Sequence, residues 1–183
     1  MAKKVIVFLA DGFEEIEALT TVDLLRRAGM EVTTASVMEN RGVMGSHKVF
    51  VRADIMAADA DYASADLVVL PGGTVGTENL GKCDVVKEQA KAFAAEKHVA
   101  AICAAPTVLA GLGLLEGKKA VCYPGLDSQM GGALMQDAPA VADGRVITGR
   151  SAGAATLFAL EIIRQMEGED AMKRIKDEIV YEA

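Results

Sequence analysis

Val99-Ala100-Ala101-Ile102-Cys103-Ala104-Ala105-Pro106 runs from an unbroken apolar stretch into a helix start. Apolar residues without polar alternation describe a strand buried on both faces. Pro106 sits where a first helical turn tolerates a missing N–H. A buried strand that turns directly into a helix is the repeating unit of a parallel α/β sheet. Cys103 stands at the turn. A thiol there faces the free N–H groups of the new helix, whose dipole favours the thiolate, the form that attacks carbonyls and peroxides. The same residue also reads as a small apolar filler, since free cysteine is among the most buried residue types.

Working outward, residues 5–10, 31–37, 67–70 and 146–148 repeat the apolar strand pattern. Helical spacing covers residues 15–28, 84–96, 106–112 and 152–166, and a last, more polar helix is expected near 170–179. Residues 48–52 and 119–122 read as peripheral strands, with 140–141 as a partner just before the Asp143-Gly144 turn. This alternation predicts an α/β fold: a flavodoxin-like, doubly wound sandwich with a mainly parallel central sheet. No linker, repeat or low-complexity tract interrupts it, so a single domain over 1–183 is expected.

Composition agrees. Apolar residues make up 51% of the 183, aromatics only 4%, and tryptophan is absent, so small aliphatics and glycine must pack the helices closely on the sheet. A formal charge of −7 with no Lys/Arg cluster excludes a nucleic-acid surface. Lys3-Lys4 precede an apolar run that Asp11-Gly12 ends too early for a signal peptide or a membrane span. Cys83, Cys103 and Cys122 are odd in number and lack paired spacing, so no disulfide framework or zinc site is expected. The chain reads as cytoplasmic, with no membrane partner.

Ligands of open parallel sheets bind beyond the carboxyl ends of the strands. There this sequence places Asp11-Gly12-Phe13-Glu14-Glu15-Ile16-Glu17, Pro71-Gly72-Gly73-Thr74, Cys103-Ala104-Ala105-Pro106 and Gly149-Arg150-Ser151-Ala152-Gly153. Gly72-Gly73 allows close backbone approach, and an N–H there with that of Ala104 would bind an oxyanion formed by Cys103 attack; a tight strand-to-helix turn explains the same glycines. Glu14 and Glu15 open a helix, where acids suit the dipole. Glu17 differs, because helical spacing sets it beside Phe13 and Thr20-Thr21, away from Glu15. Turned inward, its carboxyl is suited to proton transfer. His98 falls at the wrong end of the strand leading to Cys103, and His47 lies in a loop free to reach the site. No dinucleotide fingerprint, Walker loop or metal-ligand spacing is present.

Together, residues 10–18, 68–73, 100–106 and 147–153 resemble the ThiJ/PfpI superfamily, in the branch of Parkinson disease protein 7. The resemblance spans nearly the whole chain, with four motifs in order. It implies a homodimer, a nucleophile-elbow cysteine matched by Cys103, a protonated glutamate matched by Glu17, and backbone donors matched by Gly73 and Ala104. Gly72, His47, Tyr123 and Arg150 are expected around the pocket, and no cofactor or metal is implied. Activities associated with the family are cofactor-independent conversion of methylglyoxal to lactate, deglycation of methylglyoxal adducts, cysteine oxidation to the sulfinic acid, and chaperone behaviour. Two departures stand out. Tyr123-Pro124 replaces the branch's His-Pro pair, and Ala104 follows the cysteine where protease-like members have histidine, which speaks against peptidase activity. His47 falls where a dimer partner often contributes an arginine. The expectation is an enzyme acting on 1,2-dicarbonyls or their adducts; the alternative is a redox-sensing or chaperone-like protein with little turnover.

Overall fold

A computed structural model describes residues 1–182. The chain runs β1 (Lys4–Leu9), α1 (Glu15–Arg27), β2 (Glu31–Ser36), β3 (Gly42–Met44), β4 (Phe50–Arg52), β5 (Ile55–Met56) and β6 (Leu67–Leu70). It continues through α2 (Thr74–Lys82), α3 (Asp84–Glu96), β7 (His98–Ile102), α4 (Pro106–Gly111), β8 (Lys119–Ala120) and β9 (Leu134–Met135). It ends with β10 (Ala140–Asp143), β11 (Val146–Gly149), α5 (Ala155–Glu167) and α6 (Glu169–Glu178). Seven strands form one sheet in the order β10-β11-β7-β6-β1-β2-β5, parallel except for β10.

Strand alternation divides the core. Val5, Val7 and Leu9 of β1 face one side with α1, α5 and α6, while Ile6 and Phe8 face the other with α2, α3 and α4. β6 and β7 repeat the division, which is why Leu67–Leu70 and Val99–Ile102 carry no polar residue. The chain leaves β1 for β2 on one side and returns to β6 on the other, so the carboxyl ends of β1 and β6 flank the point where strand order reverses. A crevice opens at such a point.

Three expectations are corrected. The 119–122 strand does not pair with 140–141: β8 pairs with β9 in a separate two-stranded sheet, and β10 joins the central sheet as the antiparallel neighbour of β11. The physical reason is local, since Asp143 pairs with Val146 across a two-residue turn in which Gly144 supplies a φ of 61°. Secondly, α2 was not expected. Thr74–Lys82 contains Gly76 and Gly81 and lacks an apolar stripe, but Gly76 must lie against Phe13, where a Cβ would come within 2.8 Å of the Phe13 backbone. Thirdly, the 152–166 helix begins with a tight 3₁₀ turn over Ala152–Ala154 before α5. No helix among the described residues is long and apolar enough to cross a membrane.

Candidate active site

Cys103 follows β7 directly and has a φ of +66°. A side chain in the left-handed region costs about 1–3 kcal/mol unless its surroundings impose it. Here they do: the Cys103 N–H donates to Gly149 O at 2.9 Å, and its carbonyl accepts from Tyr123 N at 2.8 Å. The bend lifts the sulfur out of the strand into a cavity of about 730 Å³, lined also by Gly73, Ala104, His47, Tyr123 and Thr77.

Glu17, on the first turn of α1, is 1% exposed. Its Oε2 accepts from Gly72 N at 2.9 Å, while Oε1 is buried without a nitrogen or oxygen partner. The Cys103 thiol lies close enough to the Glu17 carboxyl for each group to shift the other's titration. Burial pushes the carboxyl up to about 7, against the pull of the thiol and of the Gly72 N–H. Burial also pushes the thiol up, as do the charge and hydrogen bond of Glu17, while the N–H groups of Gly73 and Ala104 pull it down. The thiol, pushed up to about 12, keeps its proton near neutral pH while the carboxyl titrates, and a proton on Glu17 removes the repulsion that disfavours thiolate. The expected helix dipole is not the cause: α4 is one and a half turns and begins with proline, so specific N–H groups do the work instead.

Gly72 makes this approach possible. A Cβ there would collide with Glu17 Oε2 and come within 2.6 Å of Cys103 Cβ and 2.8 Å of Ile102 O. Gly72→Ala is expected to cost about 1–3 kcal/mol, as overpacking does in cores. A lower urea midpoint at unchanged slope checks it, together with a displaced Glu17 carboxyl. Gly73 has φ +91° and caps α2, with its N–H aimed at the sulfur.

His47 is held across the cavity mouth. Its Nδ1 lies 2.8 Å from Glu15 Oε2, its backbone N–H donates to Glu15 Oε1 at 2.6 Å, and the Ser46 hydroxyl donates to Oε2 at 3.0 Å. Burial raises Glu15, but these hydrogen bonds outweigh it and bring the carboxyl down to about 2. Glu14, Glu15 and His47 bring one atom each within 4.8 Å of one another. Both Glu15 oxygens already accept protein N–H or O–H groups, so the trio is a hydrogen-bond network and not a ligand set. Glu14 itself caps α1 by accepting from Glu17 N at 2.8 Å.

Arg150 is corrected as a pocket residue. Its guanidinium pairs with Asp137 at 2.6 Å and borders a different, smaller cavity. His98 opens β7, at the end of the strand away from Cys103. Thr77, Glu78, Thr107 and Gln129 line the Cys103 cavity without having been singled out from sequence. Thr77 and Glu78 lie on the unexpected α2, and Gln129 ends a short 3₁₀ turn with no sequence signal.

A mainly parallel sandwich with a strained cysteine in the strand-to-helix turn beside the reversal point of its sheet has the geometry of the nucleophile-elbow class of α/β proteins. Comparison with known proteins gives the particular family: the chain belongs to the DJ-1/PfpI family, which it matches over residues 3–165. It is 36% identical over 183 residues to the Parkinson disease protein 7 homolog of Danio rerio, covering 97% of each chain. It is 30% identical over 167 residues to a deglycase of Pyrococcus abyssi, covering 90% of this chain and 99% of that one. Against Protein DJ-1 homolog B of Arabidopsis thaliana it is 35% identical but spans only 41% of that protein's length. Oxidized Toxoplasma gondii DJ-1 superposes with a TM-score of 0.95 at 34% identity, over 100% of both chains.

Proposed function

We propose that the protein is a cysteine-dependent, cofactor-independent enzyme acting on 1,2-dicarbonyls or their adducts, converting methylglyoxal to lactate. The observation that carries the reading is the buried Glu17 carboxyl, raised to about 7, beside a half-buried Cys103 whose sulfur the Gly73 and Ala104 N–H groups face. In this reading the Cys103 thiolate adds to the aldehyde carbon, forming a C–S bond. The carbonyl electrons move to oxygen, where the Gly73 and Ala104 N–H groups hold the charge until Glu17 supplies a proton. The Glu17 carboxylate then takes the C1 proton and returns it to C2, while the hydroxyl proton on O1 passes to O2. The aldehyde carbon is oxidised and the ketone carbon reduced, leaving a lactoyl thioester that water cleaves to lactate and thiol. Pure protein supplied with methylglyoxal alone should form lactate; no lactate above the buffer rate would sink the reading. The deglycase of Pyrococcus abyssi lends support at the level of family chemistry.

A second reading, an oxidation sensor with little turnover, is favoured by Tyr123 standing where the branch has histidine and by the oxidized state of the Toxoplasma gondii relative. Glu17 Oε1, without a nitrogen or oxygen partner, is placed to hydrogen-bond a sulfinate on Cys103.

A homodimer fits both readings. Ile16 and Leu19 on α1, Met44 and Phe50 on the β3–β4 hairpin, and Val75 on α2 are all exposed, with Phe50 64% open. Phe50→Asp should shift the mass measured by sedimentation from two chains to one, and an unchanged mass would exclude this face.

A further inference from the structure

His47 is the most exposed member of the network at the cavity mouth, yet the network is built around it. Glu15 accepts from both its backbone N–H and its ring Nδ1. Glu15 is itself shielded, 7% exposed, and its carboxylate is held ionised by these bonds. An ionised acceptor at Nδ1 places the ring proton there and leaves Nε2 as the basic nitrogen. Nε2 has no hydrogen-bond partner among the described residues, and His47 shares its cavity with Cys103. Gly45 is required for this arrangement, since a Cβ there would strike the Glu15 carboxylate. An acid that fixes the tautomer and orientation of a histidine beside a nucleophile is the arrangement of an acid–base dyad.

We infer that His47, oriented by Glu15, is the general base that activates water for hydrolysis of the Cys103 thioester. The inference rests on the enzymatic reading above. Nε2 takes a proton from water as the C–O bond forms at the thioester carbon. The resulting oxyanion sits at the Gly73 and Ala104 N–H groups. The intermediate collapses by breaking C–S, sulfur leaves as thiolate, and the acid proton of the product returns to Glu17. His47 then gives its proton to solvent, so methylglyoxal and water yield lactate and one proton. The dyad supplies from the 45–48 loop a base that Tyr123 cannot supply near neutral pH.

The pH dependence follows from the groups around the ring. Glu15 by hydrogen bond and charge raises the imidazole, burial lowers it, and Glu14 raises it. Glu78 on α2 lines the same cavity, and Lys48 follows His47 on the loop but borders a neighbouring cavity. Because the neutral ring is the base, kcat should rise with pH through an acid limb lying above 6.5.

The test compares wild type, His47→Gln, Glu15→Gln and Cys103→Ala on methylglyoxal. In His47→Gln, kcat should fall roughly 100-fold or more, KM should fall with it because the thioester accumulates, and the acid limb of kcat should vanish. Hydroxylamine should then trap an accumulated lactoyl thioester as the hydroxamate. In Glu15→Gln the limb should move to lower pH, a shift that a merely structural role would not produce, with urea midpoints showing that each variant folds. If Cys103→Ala is inactive but His47→Gln keeps the wild-type kcat and limb, this inference fails and the enzymatic reading stands. If wild type forms no lactate, both fail. Loss of activity on treatment with EDTA would assign the Glu14–Glu15–His47 trio to a metal ion and overturn the proposal.

Discussion

Lactate formation from methylglyoxal should fall to the buffer rate in Cys103→Ala, while the fold and its urea midpoint stay close to wild type. The two halves of this expectation have different causes. Chemically, no other group in the cavity can replace the sulfur: Cys122 is buried with its thiol turned to the Tyr123 carbonyl, and Cys83 lies at the α2–α3 junction. Structurally, alanine keeps the Cβ and accepts the same +66° backbone angle at the same cost, so the strain of the elbow is unchanged. The bonds that impose the bend, to Gly149 and Tyr123, are made by the backbone and survive the substitution. Serine offers a sharper control. It keeps a hydroxyl beside Glu17 but not a group that ionises near neutrality, so Cys103→Ser should be as inactive as alanine. Equal lactate rates in wild type and both variants would remove Cys103 from the chemistry.

Glu17→Gln should change two measurements at once. The first is the dependence of stability on pH. Glu17 is raised from 4.5 to about 7 in the folded protein, so the folded state binds this proton more tightly than the unfolded chain. The stability it contributes is fully present below pH 4.5 and is lost as pH rises through about 7. The loss over that window is on the order of 3 kcal/mol. Glutamine has nothing to titrate, so this component of the slope should disappear, and the variant should gain on wild type as pH rises. Its carbonyl can still accept from Gly72, which keeps the loop in place. The second measurement is chemical: with no proton to give or take, turnover should fall roughly 100-fold or more. Under mild peroxide, intact-mass spectra should show wild type gaining two oxygens at Cys103 first, and the variant should change that pattern. A pH–stability curve identical to wild type would mean that Glu17 is ionised in the fold, contrary to its burial.

Much of this was visible in the residues. The two-sided apolar runs at β1, β6 and β7, and the thiol, acids and glycines after them, follow from periods of 2 and 3.6 that any strand or helix must obey. Where reading failed, the cause was in each case non-local or a matter of length. α2 is helical because it packs against Phe13, not because of its own pattern. Arg150 sits at the right edge of the sheet, but Asp137 claims it. The α4 dipole was credited with tuning the sulfur, but the helix proved too short.

By itself, the sequence determined the layer architecture, the mainly parallel sheet and which groups stand beyond its strand ends, because burial periodicity and strand-end position are written locally. Only the tertiary structure decided which acid faces which partner. Glu15 and Glu17 are two residues apart on one helix, yet one is held by a loop at His47 and the other by Gly72, 55 positions away. The β3–β4 hairpin brings one partner and the loop after β6 brings the other, contacts between distant segments that no local pattern encodes.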